Sequence, residues 1–200
     1  MDIKKQNFIL IYLLTKYRQS IILNVKRVIK MISYTKIYFT RYNTPIGRLY
    51  LAATDKGLLN IAPEKGSELS FLIDLPIRHY DLVRSEKPFL QIKKQLDRYF
   101  KGQPVVFKFR ADMSHGTGFQ RSVWRKLSGL LPGQMMTYGI LAREIGQPKA
   151  YRAVGQAVGA NPLPIIIPCH RVIASDGSLG GFAWGIKVKK KLLSIEGIGL

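Results

Sequence analysis

Cysteine and histidine are scarce in this chain of 200 residues. It holds one cysteine, Cys169, and three histidines, His79, His115 and His170. A single thiol excludes an internal disulfide and a zinc site built on several thiolates, so we predict no metal site. The purpose of Cys169 must therefore come from burial in the core or from reactivity.

The sequence also lacks an apolar run of the ~20 residues that a membrane helix needs. Residues 8–14 are apolar and flanked by lysines, but no small-x-small cleavage pattern follows them. We predict that residues 1–30 are a poorly ordered extension and that Met31 begins the folded protein. A weak interfacial helix in this stretch stays open as an alternative. The free thiol favours a reducing, cytoplasmic location without a membrane partner.

Acidic residues are few: 12 Asp and Glu stand against 32 Lys and Arg, which gives a formal net charge of +20. Such an excess favours a polyanionic partner, either nucleic acid or an anionic membrane surface, and charge alone does not choose between them. Lys187, Lys189, Lys190 and Lys191 are interpreted as the solvated face of the last helix.

The first half of the sequence is typical of strands. Apolar and β-prone segments between residues 32 and 62 are separated by turn signals at residues 43–47 and 55–57, which predicts a hairpin or meander. Pro88 is expected to open a helix that ends at Gly102, and residues 105–107 read as a further strand. A turn-prone stretch then predicts a domain boundary between residues 31–115 and 116–200.

The second half is predicted to be helical. Thr117 precedes a helix that ends before Pro132, Thr137 can cap a short helix, and another helix runs from about Ala150 to Ala160. Two short helices joined by a glycine-containing turn indicate a helix-turn-helix, although an ordinary corner of two helices has the same pattern.

The last of these helices carries mostly small side chains and one long cation, Arg152. A surface of this kind lets the backbone approach a nucleic-acid groove closely. Tight packing of the helix, with Arg152 in solvent, is the alternative.

The dipeptide Cys169-His170 follows an apolar run that ends in Pro168, so the thiol stands on a stiff segment beside a possible base. Taken alone, the pair favours a small core residue with a satisfied histidine beside it, because reactive cysteines depend on spatial neighbours.

The most informative motifs lie from Gly116 onward: Gly116-Thr117, Phe119-Gln120, Val123-Trp124, Thr137-Tyr138, Arg152-Ala153-Val154-Gly155, Asn161-Pro162, Pro168-Cys169-His170-Arg171-Val172, Leu192-Leu193 and Glu196-Gly197. In these motifs the sequence resembles the O6-alkylguanine-DNA alkyltransferases, also called methylated-DNA:protein-cysteine methyltransferases, and a weaker resemblance extends back to about residue 32. That family implies an α+β fold, with an N-terminal ribonuclease-H-like domain and a C-terminal winged helix-turn-helix domain that carries the active cysteine.

The resemblance implies direct repair of O6-alkylguanine in double-stranded DNA, by irreversible transfer of the alkyl group to Cys169 after base flipping. Activity on O4-alkylthymine stays open. The family also implies a role for each residue around Cys169. A water held by His170 removes the thiol proton, and Glu196 orients His170. Asn161 ties the recognition helix to the active-site loop. Tyr138 crowds a phosphate and donates a proton or a hydrogen bond to the base. Arg152 enters the base stack, and the helix meets the minor groove. The DNA-binding set is completed by Ala150, Ala153 and Gly155, and the base pocket by Val158, Val172, Phe182, Ala183 and Trp184.

No cofactor is implied, because the protein itself accepts the alkyl group, and we expect a monomer. A large indole at Trp184 predicts a narrow pocket that accepts methyl adducts and reacts poorly with benzylguanine. Two other classes of protein agree less well with the sequence. Lesion-binding relatives that do not repair replace the cysteine, which is intact here, and a Cys-His hydrolase lacks a visible oxyanion motif.

Overall fold

The structure is a computed structural model that describes residues 35–77 and 80–199. The predictions for residues 1–30 and for Met31 lie outside the described residues, as does His79.

A four-stranded sheet forms the first half, in the order β3-β2-β1-β4. The strands are β1 (Thr35–Thr44), β2 (Gly47–Thr54), β3 (Gly57–Pro63) and β4 (Tyr80–Arg84). β1, β2 and β3 are successively antiparallel, and a register shift separates Ala52 from Ala53 in β2. The predicted meander and both predicted turns are therefore confirmed.

Gly57 begins β3 in a conformation that other residues rarely adopt, with φ +138°. A Cβ placed there would lie 2.3 Å from the carbonyl oxygen of Arg110, so only glycine lets the two backbones meet. Two backbone hydrogen bonds form at this close approach: Leu58 N donates to Arg110 O at 2.8 Å, and Asp112 N donates to Leu58 O at 2.7 Å.

Each face of the sheet is covered by a helix. Tyr50 and Leu59 face α1 (Glu68–Ile73), whose Phe71 stacks on Tyr50 with ring centroids 4.9 Å apart. Leu49, Leu51 and Ile61 belong to the main core, which also contains residues of α2 (Leu90–Phe100). A 3-10 turn, Lys87–Phe89, leads into α2, and Lys101 and Gly102 follow it, as the sequence predicts.

The predicted strand over residues 105–107 is wrong. These residues form no strand; Val105 is buried and Val106 is 61% exposed. A side chain takes the place of a neighbouring strand here, because the amide of Gln95 accepts from Lys108 N at 2.7 Å and donates to Lys108 O at 3.0 Å.

Helices dominate the second half. α3 (Gly118–Ser128) begins at Thr117, whose side chain forms a capping box with Gln120. The helix-turn-helix consists of α4 (Tyr138–Glu144), capped by Thr137, and α5 (Tyr151–Gly159). A short parallel pair, β5 (Met136–Thr137) with β6 (Val172–Ile173), joins this unit to the cysteine segment, and α6 (Ile186–Ile195) follows.

One hydrophobic core runs through both halves. It contains sheet residues such as Leu51, helix residues such as Trp124 and Val154, and Cys169 itself. Backbone bonds also cross between the halves, since Ile61 N donates to Pro162 O at 2.8 Å. The α+β class is confirmed, whereas the boundary between residues 31–115 and 116–200 stays a prediction.

Candidate active site

Cys169 lies at the start of a 3-10 turn, Cys169–Arg171, at the end of a buried loop. Ile165 in this loop has φ 76°, which is a strained conformation for a β-branched residue and costs on the order of 1–3 kcal/mol. The loop is held by backbone bonds from Ile167 N to Leu163 O and from Cys169 N to Ile167 O, both 2.8 Å. The predicted stiff segment is thus present.

Asn161 fastens this loop to the end of α5. Its side-chain amide donates to Ile167 O at 2.8 Å and to the sulfur of Cys169 at 3.0 Å, while its oxygen accepts from Leu163 N at 3.0 Å. The sulfur thereby receives a donor that favours its negative form.

A cavity of about 380 Å³ opens beside the sulfur. α4, α5, the Cys169 loop and the loop before α6 all contribute to its wall. Its lining residues are Tyr138, Gly155, Val158, Gly159, Asn161, Pro164, Cys169, Gly181, Phe182 and Ala183.

Two residues of the predicted base pocket do not line this cavity. Val172 is fully buried, because it belongs to β6 and packs in the core. Trp184 packs edge-on against Phe182, with ring centroids 6.0 Å apart. Of the two rings, Phe182 lines the cavity and Trp184 contacts Phe182; that the indole narrows the pocket stays a prediction.

Tyr138 begins α4, and its ring is held between two glycines. A Cβ on Gly155 would lie 3.9 Å from the ring, and one on Gly180 would lie 3.2 Å from both the ring edge and the hydroxyl oxygen. Burial raises the pKa of Tyr138, and nearby Cys169 raises it further, so the hydroxyl keeps its proton.

His170 points away from the cavity into a buried ion-pair network. Its Nε2 lies 2.6 Å from Glu196 Oε1, and Arg171 donates to the same carboxylate through Nε at 2.8 Å and Nη2 at 3.0 Å. Arg171 also donates to Leu130 O at 2.8 Å. Burial alone would raise the pKa of Glu196, but the bonds from His170 and Arg171 outweigh it and lower the pKa to about 2.

These contacts determine which nitrogen of His170 can act as a base. Burial lowers the pKa of His170 although Glu196 opposes it, which favours the neutral ring. Glu196 only accepts hydrogen bonds, so Nε2 carries the proton and Nδ1 keeps its lone pair. Nδ1 is buried without a hydrogen-bond partner among the residues that the structure describes.

The thiol of Cys169 is protonated in this environment. The residue is 5% exposed, and burial raises its pKa to about 11. The amide of Asn161 and the ammonium of Lys189 both act in the opposite direction and favour the thiolate. Nucleophilic attack from this sulfur therefore requires a base.

The interpretation of Lys189 as part of a solvated helix face is wrong. Unlike exposed Lys187, Lys190 and Lys191, it is fully buried in α6, and its ammonium donates to Val172 O at 2.5 Å and to Leu179 O. Burial lowers its pKa to about 8, and the nearby Cys169 opposes that shift. Its position on the inner face of α6, next to Leu192 and Leu193, distinguishes it from its lysine neighbours.

The predicted recognition helix, α5, has some of its small residues on its exposed side, whereas Ala157 is buried. Arg152 and Ala153 are exposed, Ala150 precedes the helix, and Gly155 lines the cavity. The Arg152 guanidinium lies over the ring of Tyr151, 5.7 Å from its centroid. α5 is anchored from inside by Trp124, which donates to Ala157 O at 2.8 Å.

Within residues 35–77 and 80–199, no group of three or more His, Cys, Asp or Glu side chains is arranged to hold a metal ion. None of the helices described there has the length and apolar character to cross a membrane. The absence of a structural zinc site in the protein stays a prediction.

Comparison with known proteins agrees with this architecture. Residues 37–113 match the ribonuclease-like domain of 6-O-methylguanine DNA methyltransferase, and residues 118–198 match the DNA-binding domain of the same family. The methylated-DNA–protein-cysteine methyltransferase of Methanosarcina barkeri is 41% identical over 160 residues, which cover 80% of this chain and 97% of that protein. The Haemophilus influenzae protein of the same name is 38% identical, with 82% and 88% covered.

Among solved structures, Mycobacterium tuberculosis OGT in complex with DNA superposes with a TM-score of 0.68. It is 35% identical, and the match covers 80% of this chain and 93% of that one. Fold and site together define a DNA-binding protein with a ribonuclease-like domain and a helical domain that carries a buried cysteine. The chain belongs to the 6-O-methylguanine DNA methyltransferase family.

The structure adds residues that the sequence reading missed. Arg171 belongs to the Cys169 motif, but the sequence assigns it no role, and Lys189 is predicted to lie in solvent. Tyr99 is not among the predicted site residues, although its spacing from Ile92 and Leu96 places it on the inner face of α2.

Proposed function

We propose that this protein repairs alkylated DNA directly, by moving an alkyl group, mainly methyl, from O6 of guanine to the sulfur of Cys169. The observation that carries the proposal is one thiol beside a cavity of about 380 Å³, with a basic helix-turn-helix presenting that cavity at its surface. The S–C bond forms as the bond from carbon to O6 breaks, and the electron pair of that bond stays with guanine.

The neutral ring of His170 removes the thiol proton. Among the described residues no hydrogen bond joins the sulfur of Cys169 to the ring of His170, so a water between Sγ and the free lone pair of Nδ1 carries the proton. Glu196 holds the ring through Nε2 and stabilises the positive charge that the ring acquires. Asn161 stabilises the thiolate directly.

Tyr138 assists the departure of guanine. Its hydroxyl carries a proton at the cavity and gives that proton to the base as the bond to O6 breaks, so that guanine leaves as a neutral species; the proton that His170 takes up from the thiol then restores the tyrosine. Overall, the thiol loses one proton and guanine gains one. The thioether product is stable, so each molecule acts once, without a cofactor.

A base inside paired DNA cannot reach a thiol that is 5% exposed, so the damaged nucleotide must leave the stack. α5 approaches the minor groove with Ala150, Ala153 and Gly155, and Arg152 fills the space that the nucleotide vacates. From Gly116 to Leu200, 11 Lys and Arg stand against 3 Asp and Glu, which favours phosphate binding with a strong salt dependence. We infer that the protein acts as a monomer in the cytoplasm.

The first test incubates the protein with a duplex that contains O6-methylguanine and identifies the product by mass spectrometry. We expect one methyl group on the peptide that contains Cys169, none in Cys169→Ala, and product that never exceeds the amount of protein when DNA is in excess. An unmodified Cys169 peptide beside bound DNA would instead identify a lesion-binding protein that does not repair.

Base flipping is tested with a fluorescent base analogue at the target position. Arg152→Ala should weaken the fluorescence increase and the transfer rate, whereas Arg98→Ala, an exposed arginine on α2, should leave both unchanged. Equal effects of the two substitutions would contradict the assignment of α5.

A further inference from the structure

The carboxylate of Glu196 receives a hydrogen bond from the other half of the molecule. Besides His170 and Arg171, the hydroxyl of Tyr99 in α2 lies 3.0 Å from Glu196 Oε1. The same hydroxyl lies 3.4 Å from His170 Nε2 and 3.5 Å from Leu192 O. One oxygen of Glu196 therefore serves both the histidine and a tyrosine of the ribonuclease-like half.

Tyr99 is built into this position. It is 2% exposed, and its ring packs against Phe100, Phe107 and His170. Burial raises the pKa of Tyr99 well above its ordinary value, and Glu196 raises it further, so the hydroxyl is always protonated. Because a carboxylate only accepts, the bond must run from Tyr99 to Glu196.

A second cavity, of about 290 Å³, lies behind this network and is lined in part by Tyr99, Arg171 and Glu196. Solvent in this space can compete with His170 for the oxygen of Glu196. The hydroxyl of Tyr99 already donates to that oxygen, while Arg171 fixes the plane of the carboxylate through both oxygens.

We infer that Tyr99 is a positioning residue for alkyl transfer: it keeps Oε1 of Glu196 on Nε2 of His170, and thereby makes the ribonuclease-like half part of the active site. The inference rests on the proposed function, because it acts on the His170 base. Tyr99 acts through Glu196 and His170, and its hydroxyl has no hydrogen bond to the sulfur of Cys169 among the described residues.

The test compares Tyr99→Phe with Tyr42→Phe. Tyr42 is a matched control, because its hydroxyl also donates to a carboxylate, that of Asp97 at 2.5 Å, on the exposed side of α2. Two rates are followed against pH: methyl transfer from the O6-methylguanine duplex, and alkylation of Cys169 by iodoacetamide, which reports thiolate formation without DNA. Urea unfolding is measured in parallel.

We expect Tyr99→Phe to slow both reactions about tenfold at neutral pH and to shift their pH profiles, since a loosened base costs roughly one to two orders of magnitude. Both rates of Tyr42→Phe should stay within about twofold of those of the unsubstituted protein, because this side chain is remote from the reacting groups. In a Glu196→Gln background, Tyr99→Phe should have no further effect.

Superimposable pH profiles of Tyr99→Phe and the unsubstituted protein would overturn the inference, as would a full additional loss in the Glu196→Gln background. A loss of rate that matches the unfolded fraction would also overturn it, because it would assign Tyr99 to stability alone. If the unsubstituted protein transfers no methyl group, the proposed function fails, while the iodoacetamide profile still decides the role of Tyr99.

Discussion

A single methyl group added at Gly180 should separate the chemistry from the stability of the fold. Gly180 has φ +63°, where a Cβ costs about 1–2 kcal/mol of stability. That Cβ would also lie 3.2 Å from the hydroxyl oxygen and ring edge of Tyr138, a few tenths of an ångström closer than ordinary contact at ~3.5 Å. The ring of Tyr138 must therefore shift to relieve this contact.

Gly177 supplies the matched control in the same loop. It has φ +83° and no atom within 4 Å of an added Cβ, so Gly177→Ala carries the backbone strain without the contact. Both variants should lose about 1–2 kcal/mol in urea unfolding. Only Gly180→Ala should also slow methyl transfer, by about three- to tenfold. A shift of 1 Å at a positioned group costs about a hundredfold in rate, and the shift expected here is a few tenths of an ångström.

The assay is single-turnover methyl transfer from an O6-methylguanine duplex, with binding to undamaged DNA measured alongside. Equal transfer rates in the two variants would refute the argument that Tyr138 is held by Gly180 in a position that the reaction needs. A faster Gly180→Ala would refute it as well.

Four further outcomes are expected. Asn161→Ala leaves the buried amide of Leu163 without a partner and removes one of the two donors to Ile167 O, so it should cost about 1–3 kcal/mol in urea unfolding; a loss under about 0.5 kcal/mol would mean that the loop repairs itself. Folding lowers the pKa of Glu196 from 4.5 to about 2, which contributes about 3 kcal/mol to the free energy of unfolding. This contribution is fully present above pH 4.5 and is lost as the pH falls towards 2. Glu196→Gln should flatten that part of the plot of stability against pH, and an unchanged slope would contradict the pairing of Glu196 with His170 and Arg171. Lys189→Met should move the iodoacetamide profile of Cys169 to higher pH, because the buried ammonium favours the thiolate; an unmoved profile would place its charge out of reach. Phe182→Ala should improve reaction with benzylguanine relative to methylguanine more than Trp184→Ala does, since only Phe182 lines the cavity; the reverse order would restore the indole as the wall.

The sequence predicted local structure correctly where residues adjacent in the chain determine it. Turn residues defined the meander, Thr117 and Thr137 marked helix starts, and the Cys169 motif indicated both the family and the nucleophile. It failed over residues 105–107, because β-propensity cannot show that Gln95 would occupy the backbone groups a strand needs. It also failed for Lys189, because composition describes a run of lysines and not the side of α6 on which each one lies.

The sequence by itself determined the strands of the first half, the helices of the second and, through the resemblance carried by the motifs around Cys169, the family whose α+β fold and helix-turn-helix the structure shows, since these depend on periodicity, caps and motifs along the chain. Only the tertiary structure decided that Tyr99 meets Glu196, that Phe182 and not Trp184 forms the wall of the cavity, and that Lys189 is buried near Cys169. The physical reason is that pKa values and hydrogen bonds in a site depend on distance and burial, and residues 97 positions apart acquire both only when the two halves pack into one core.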